Sequence, residues 1–331
     1  MRILFHENCL GLRGTTQAVY DYAHHAERLL GHESIVCFQA DHPENDPSIQ
    51  AKFEARFQTV PYRDAEALLD LNADLGYYIK VGAPSPLPAP LPFVVHEVFQ
   101  RYEPHGASYA YVSEWLAAYR TGGRLPFVPH MVDLPPGESQ RDALGIPQEA
   151  FVFGRYGGHE TFDLGFVKEA VAELLQDPQT WFVFVNTERF ISHPRALFLD
   201  PITELQGKSD FITTCDAMLH GRKRGESFGL AICEFLFHGR PVLAWQGGKD
   251  GNHRVILKDA PGALYRDKAD LLAKARALQH GGGFDWAKLV APFAPAPVMQ
   301  RFDEVFLRGA ARPSPSRLVV NAEYRLRRLL G

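Results

Sequence analysis

Short β-rich segments and amphipathic helical stretches take turns along this sequence, and they do so in two separate series. The first opens with an apolar run at residues 2–5, passes through a glycine-containing loop, and continues into a helical pattern over residues 15–30 that Gly31 is placed to stop. Residues 34–38 supply the next strand, and residues 93–96 and 109–112 read as later strands of the same sheet. A second series runs from strand 151–153 through helix 164–175, strand 181–185, helix 230–237 and strand 241–245. A strand followed by a helix returns its next strand parallel to the first, so each series predicts a parallel sheet covered by helices. Between them lies a Pro- and Gly-rich stretch at residues 132–147, which predicts a domain boundary near residues 134–148. The proline run at residues 84–92 can be neither helix nor central strand and is expected to cross the surface. A chain of 331 residues has room for two α/β domains, with a ligand cleft expected between them.

Composition removes several function classes. Apolar residues make up 46% and charged residues 22%, as in a folded globular protein. The net charge of -4 provides no general attraction to a polyanion, so nucleic acid is not expected as a partner. Cys9, Cys37, Cys215 and Cys233 are scattered, with no C-x-x-C pair and no His at metal-finger spacing, and are expected to be buried reduced thiols. The N-terminus turns polar too soon for a signal peptide, and no apolar run is long enough to span a bilayer, so the chain is expected in the cytoplasm.

Two segments carry chemistry. The first loop, with Gly11, Gly14, Thr15 and Thr16, follows a strand and opens a helix. Its N–H groups could face an anion or a sugar, or the loop could be a tight turn capped by Thr15 or Thr16. The second segment, residues 221–245, places Glu226 in a loop before a helix and Glu234 within it. At helical rise the two are roughly 12 Å apart if the helix reaches back that far. The paired acids of a glycoside hydrolase sit closer, roughly 5 to 9.5 Å apart, so these glutamates suit the two ends of one extended ligand such as a nucleotide-sugar.

Glu226 and Glu234, with Phe228 and Gly229 between them and Gly239-Arg240-Pro241-Val242 after them, resemble the E-x7-E motif of the retaining GT-B glycosyltransferases, especially glycosyltransferase family 4. Gly14 with Leu30-Gly31-His32-Glu33, Val95-His96-Glu97, Val112-Ser113-Glu114, residues 128–133, and Leu144-Gly145-Ile146-Pro147 leading into Phe153-Gly154-Arg155 resemble further signatures of the same family, in order along nearly the whole chain. The resemblance implies an α/β fold of the GT-B kind, with two Rossmann-like parallel-sheet domains facing across a cleft. Residues 1–140 would bind the acceptor, residues 141–295 the nucleotide-sugar, and residues 296–331 would form helices packing back on the N-terminal domain. It implies that Glu234 holds the ribose hydroxyls, that Glu226, Ser227, Phe228 and Gly229 bind the transferred sugar, and that Arg155 neutralises the diphosphate. Gly14 would assist the donor, His96 would face the anomeric carbon, and Gly11, Thr15, Thr16 and Glu97 would meet the acceptor. The family's usual lysine after the arginine is missing here, and Arg222, Lys223 or Arg224 could supply that charge or form a solvated run.

No cofactor is implied: the UDP- or GDP-linked sugar is a substrate, and a glycan or lipid-linked hydroxyl is the expected acceptor. No Asp-x-Asp occurs, so no required metal is expected. The adjacent His24 and His25 point in different directions on a helix and do not suggest a metal site. Near the C-terminus an apolar stripe at residues 318, 322, 326, 329 and 330 is flanked by arginines. It is expected to dock on a domain, the alternative being a weak contact with a membrane surface. A GT-B sugar-nucleotide epimerase and a non-catalytic nucleotide-sugar-binding module stay open as other readings of the same pocket. A dinucleotide oxidoreductase fits worst, because the first loop lacks G-x-G-x-x-G.

Overall fold

The computed structural model describes residues 1–80, 90–279, 283–309 and 315–330; most of the proline run, residues 84–89, lies outside them. The chain divides into two compact units, Met1–Met131 with Phe293–Gly331, and Val132–Pro292.

Unit 1 begins β1 (Arg2–Glu7), α1 (Gly14–Leu30), β2 (Glu33–Gln39), α2 (Pro47–Glu54) and β3 (Gln58–Tyr62). It continues with β4 (Leu75–Lys80), β5 (Phe93–Glu97), β6 (Ser108–Tyr111) and α3 (Glu114–Thr121). Its sheet has the order β3-β2-β1-β4-β5-β6, and every pairing is parallel. Ile3, Leu4 and Phe5 are fully buried, as a central parallel strand covered on both faces requires. Helix α1 buries Ala18, Val19, Tyr22, Ala23 and Ala26, a stripe at helical spacing, and ends on Gly31 in the left-handed region. Pro61 in β3 is accommodated because β3 is the edge strand.

Unit 2 comprises β7 (Phe151–Tyr156), α4 (Gly165–Leu174), β8 (Thr180–Val185), β9 (Ala196–Leu199), α5 (Leu205–Thr214), β10 (Ala217–His220) and β11 (Gly225–Glu226). There follow α6 (Leu230–Phe237), β12 (Val242–Trp245), β13 (Asp250–Gly251), α7 (Asn252–Ile256), β14 (Leu264–Tyr265) and α8 (Lys268–Gln279). Six of these strands form a parallel sheet in the order β14-β12-β10-β7-β8-β9, the same doubly wound arrangement counted within the unit, while β11 pairs separately with β13. Phe153, Phe182 and Phe184 stack along its centre, with ring centroids 5.3 and 5.7 Å apart. The stretch expected as a linker belongs to this unit. Arg141 is buried and donates to the carbonyls of Gln148, Ala150 and Thr214 and to the Asp216 carboxylate. These bonds tie residues 141–150 to the sheet, so the units divide at 131/132 rather than near residue 140.

The chain then returns to unit 1 through α9 (Pro295–Phe302) and α10 (Arg317–Leu330). Phe302 packs 5.3 Å from the Tyr22 ring and 5.5 Å from that of Tyr77. Helix α10 lies on α3, but not by the expected stripe: Val320 is buried while Leu318 and Leu326 are exposed. The docking face is largely polar, because Arg120, Arg124 and Tyr119 offer it hydrogen bonds and a ring rather than an apolar groove. All four cysteines are buried and unpaired. Among the described residues, no helix is long and apolar enough to cross a membrane.

Candidate functional site

In a doubly wound sheet, ligands bind beyond the carboxyl ends of the strands where the strand order reverses. In unit 2 that point lies between β7 and β10, which pair through Ala217–Phe153 and Met218–Gly154. Their last residues are Tyr156 and His220.

Glu226 sits here, on β11, and not on the following helix. Gly229, at φ 101°, turns the chain so that α6 starts at Leu230. His220 Nε2 donates to Glu226 Oε1 at 2.9 Å, and Arg222 Nη1 to Oε2 at 2.9 Å. Burial alone would push this carboxyl up, but the His220 hydrogen bond and the Arg222 charge outweigh it and hold Glu226 at about 2. The Glu226 backbone N–H donates to His253 Nδ1 at 3.3 Å, while His253 Nε2 donates to the Trp245 carbonyl at 2.9 Å. Burial lowers His253 to about 4, so it is neutral, in the tautomer those two bonds demand. The result is a fixed carboxylate beside a helix N-terminus whose cap, Gly229, supplies no side-chain acceptor.

Arg155, expected on the diphosphate, is spent otherwise. Its Nη1 donates to the Asn186 carbonyl and Thr187 Oγ1, and its Nη2 donates to the Gly158 carbonyl at 2.9 Å and Thr161 Oγ1 at 2.7 Å. It is buried and braces the loop after β7, so it shapes the site and stands near Glu226 without offering its Nη hydrogens outward.

Glu234, inside α6, is buried and receives a 2.9 Å hydrogen bond from Lys208 Nζ of α5. Lys208 also lies 5.5 Å from the centre of the Tyr156 ring. Both motif glutamates therefore lie about the end of β7, Glu226 within range of the Arg155 charge and Glu234 through Lys208 and Tyr156. The expected basic cluster is divided: Arg222 is bound to Glu226, Arg224 Nε is bound to Asp250, and the Lys223 side chain is exposed. Ser227 is half-buried, and the buried Phe228 gives its carbonyl to Asn252.

In unit 1 the expected residues are mostly enclosed. His96 is fully buried, its Nδ1 accepting from the Tyr77 hydroxyl at 2.6 Å and its Nε2 donating to the Val128 carbonyl at 2.8 Å. With both nitrogens engaged and burial lowering it to about 3, it is a neutral group in the core of unit 1. Glu97 is also fully buried, accepting from Phe99 N and the Tyr109 hydroxyl. Gly11 lets the loop approach the Glu44 carbonyl, which a Cβ would meet at 2.4 Å, so its need is packing. Thr16 is buried and bonds to the Cys9 carbonyl, whereas Gly14 is exposed at the start of α1 and Thr15 is half-buried beside Glu7.

Four residues escaped sequence reasoning: His220, His253, Lys208 and Glu7. The first three reach the site only through strand and helix pairing, and no local spacing marks them. Glu7, at the end of β1, is fully buried, and burial raises its carboxyl to about 7 against opposing bonds from Thr15 and Asn8.

No established family profile matches the sequence, and no curated protein is similar to it in sequence. Solved structures are similar in fold. Anabaena HepE in complex with UDP and glucose matches at a TM-score of 0.72 and 15% identity, over 92% of this chain and 98% of that one. AviGT4, a glycosyltransferase involved in avilamycin A biosynthesis, matches at 0.63 and 16%, over 95% and 99%. WaaG, a glycosyltransferase involved in lipopolysaccharide biosynthesis, matches at 0.57 and 14%, over 92% and 99%. Two parallel six-stranded sheets with interleaved helices, together with these matches across nearly the full chain, define the GT-B fold.

Proposed function

We propose that this chain is a glycosyltransferase that takes a hexose from a UDP- or GDP-linked donor held by unit 2 and passes it, with retention and without a metal, to a glycan or lipid-linked hydroxyl. Synthesis of cell-surface polysaccharide or glycoconjugate is the setting that suits such an acceptor. The observation that carries the reading is Glu226, fixed as a carboxylate by His220 and Arg222 beside the N-terminus of α6 at the strand-order reversal. A buried ionised carboxylate accepts hydrogen bonds from sugar hydroxyls, and the adjacent helix N-terminus suits a diphosphate. The HepE structure with UDP and glucose supports this use of the fold.

In this reading the bond from the anomeric carbon to the diphosphate breaks as the acceptor oxygen bonds to that carbon on the same face. The acceptor proton passes to the departing phosphate oxygen. The α6 amides and Lys223 meet the charge that develops there, and Arg155 keeps the loop after β7 in place. Glu234, oriented by Lys208, takes the ribose hydroxyls.

The test is a thermal-shift screen of nucleoside diphosphates and nucleotide-sugars, followed by incubation of the stabilising donor with and without candidate acceptors. Sugar transfer that requires an acceptor is the expected result. Interconversion of the donor sugar without an acceptor would identify an epimerase, and stabilisation without any turnover would identify a binding module. Either outcome overturns the proposal.

A further inference from the structure

Arg222 holds Glu226 with a single nitrogen. Its Nη1 donates to Glu226 Oε2 at 2.9 Å, and among the described residues no acceptor meets its Nε or Nη2. Other arginines of the site are spent: Arg155 gives its two Nη groups to four acceptors, and Arg224 gives its Nε to the buried Asp250. The Arg222 side chain is 31% exposed, so its unspent edge is open to a ligand.

That edge has a defined shape. Nε–H and Nη2–H point the same way from a rigid plane and match the two oxygens of a carboxylate. Arg63 shows the fit within this protein, its Nε and Nη2 donating to the two oxygens of Asp41 at 2.8 and 3.0 Å. A sugar hydroxyl would occupy one of the two donors and bring no counter-charge.

The surroundings also favour an acid. Burial and, after it, the Arg222 charge lower Arg155 to about 10, while Glu226 and the exposed Asp163 oppose the shift, so the two guanidinium groups stand close together. Glu226 balances only one of them, and Asp163 already accepts from the Lys223 backbone N–H at 2.6 Å. At the other Glu226 oxygen, His220 Nδ1 is buried without a hydrogen-bond partner among the described residues, although Nε2 is fixed on Oε1. Both supports of this carboxylate therefore keep a polar group in reserve, as a site completed by its ligand does.

We propose that the transferred sugar is an acid, a hexuronate whose C6 carboxylate lies on the Nε–Nη2 edge of Arg222 while Nη1 keeps Glu226 in place for the ring hydroxyls. The inference rests on the reading of Glu226 as the sugar-binding group, with the α6 amides and Lys223 left for the diphosphate. Arg222 then sets donor specificity, favouring a carboxylate over the hydroxymethyl group of a neutral hexose.

The experiment is calorimetric titration of the full-length protein with UDP, UDP-glucose and UDP-glucuronate, and in parallel with GDP, GDP-mannose and GDP-mannuronate. In the set whose nucleotide binds, the uronate donor is expected to bind roughly tenfold or more tighter than the neutral one. Arg222→Gln should erase that preference by weakening the uronate donor and not the free nucleotide; Arg222→Lys, which keeps the charge without the fork, should retain part of it. A neutral donor bound as tightly as its uronate by the unaltered protein overturns the proposal, and this comparison needs no variant. Equal weakening of nucleotide, neutral donor and uronate donor by Arg222→Gln would put the arginine on the diphosphate; the inference then falls and the glycosyltransferase reading stands. Binding of no nucleotide or nucleotide-sugar removes both.

Discussion

Lys208 of α5 and Glu234 of α6 form an ion pair at 2.9 Å, with side chains 12% and 3% exposed, at the end of β7. The pair joins residues 26 apart in the sequence on two different helices, and it provides Glu234 with a cation from a segment in which no functional residue was expected. Removing one partner of such a pair leaves the other charge buried. Lys208→Met is therefore expected to cost about 3 kcal/mol of stability, most of it recovered in the double variant Lys208→Met, Glu234→Leu. Urea denaturation of the four proteins measures the coupling; a cost within about 0.5 kcal/mol for Lys208→Met would mean that Glu234 does not depend on this lysine.

Glu226 makes stability depend on acid in a definite direction. Its carboxyl is held at about 2 in the fold against an ordinary value of 4.5, so its contribution is present above about pH 4.5 and is lost as pH falls towards 2. Glu226→Gln is expected to flatten the stability profile in that window. The same variant should abolish detectable transfer while nucleoside diphosphate binding persists, since the proposed contacts of Glu226 are with the sugar; titration calorimetry with the free nucleotide separates the two.

Glu7 acts with the opposite sign. Its folded value is raised to about 7 from 4.5, so the fold favours the protonated acid; stability is full below about pH 4.5 and declines as pH rises to about 7. Glu7→Gln should remove that decline, so that the variant's melting temperature relative to the parent's is higher at pH 8 than at pH 5. Parallel profiles for the variant and the parent over this range would show that Glu7 ionises freely.

His96 tests the division between packing and chemistry. Replacing it with Phe leaves the Tyr77 hydroxyl and the Val128 carbonyl without their partner and should cost about 2 kcal/mol. Turnover per folded molecule, with the folded fraction measured separately, is expected to stay within about twofold. A loss of several orders of magnitude in kcat would return His96 to the reaction.

The fold was open to reading from the chain because its signals are local. The helical pattern from residue 15 to residue 30 became Gly14–Leu30, and the pattern at residues 230–237 became Leu230–Phe237. Strands β4 and β10 escaped because Leu-Gly-Tyr-Tyr-Ile-Lys and Ala-Met-Leu-His are short and carry little alternation to register. The importance of the segment holding Glu226 and Glu234 was also visible, since the two acids lie close in sequence around one turn and one helix.

What sequence alone determined was the alternation of strands and helices in two series and their parallel class, because periodicity and breakers act over a few residues. Which acid meets which base was decided by tertiary structure. His220 reaches Glu226 beside Arg155 because β10 inserts next to β7, more than 60 residues away in the chain. Glu97 and His96 look like exposed polar signatures in one dimension, yet the sheet and its covering segments enclose them and satisfy their atoms. The physical reason is the same in each case: hydrogen-bond partnership and desolvation depend on neighbours brought together by folding, and these set both the charge of a side chain and whether it can reach a ligand.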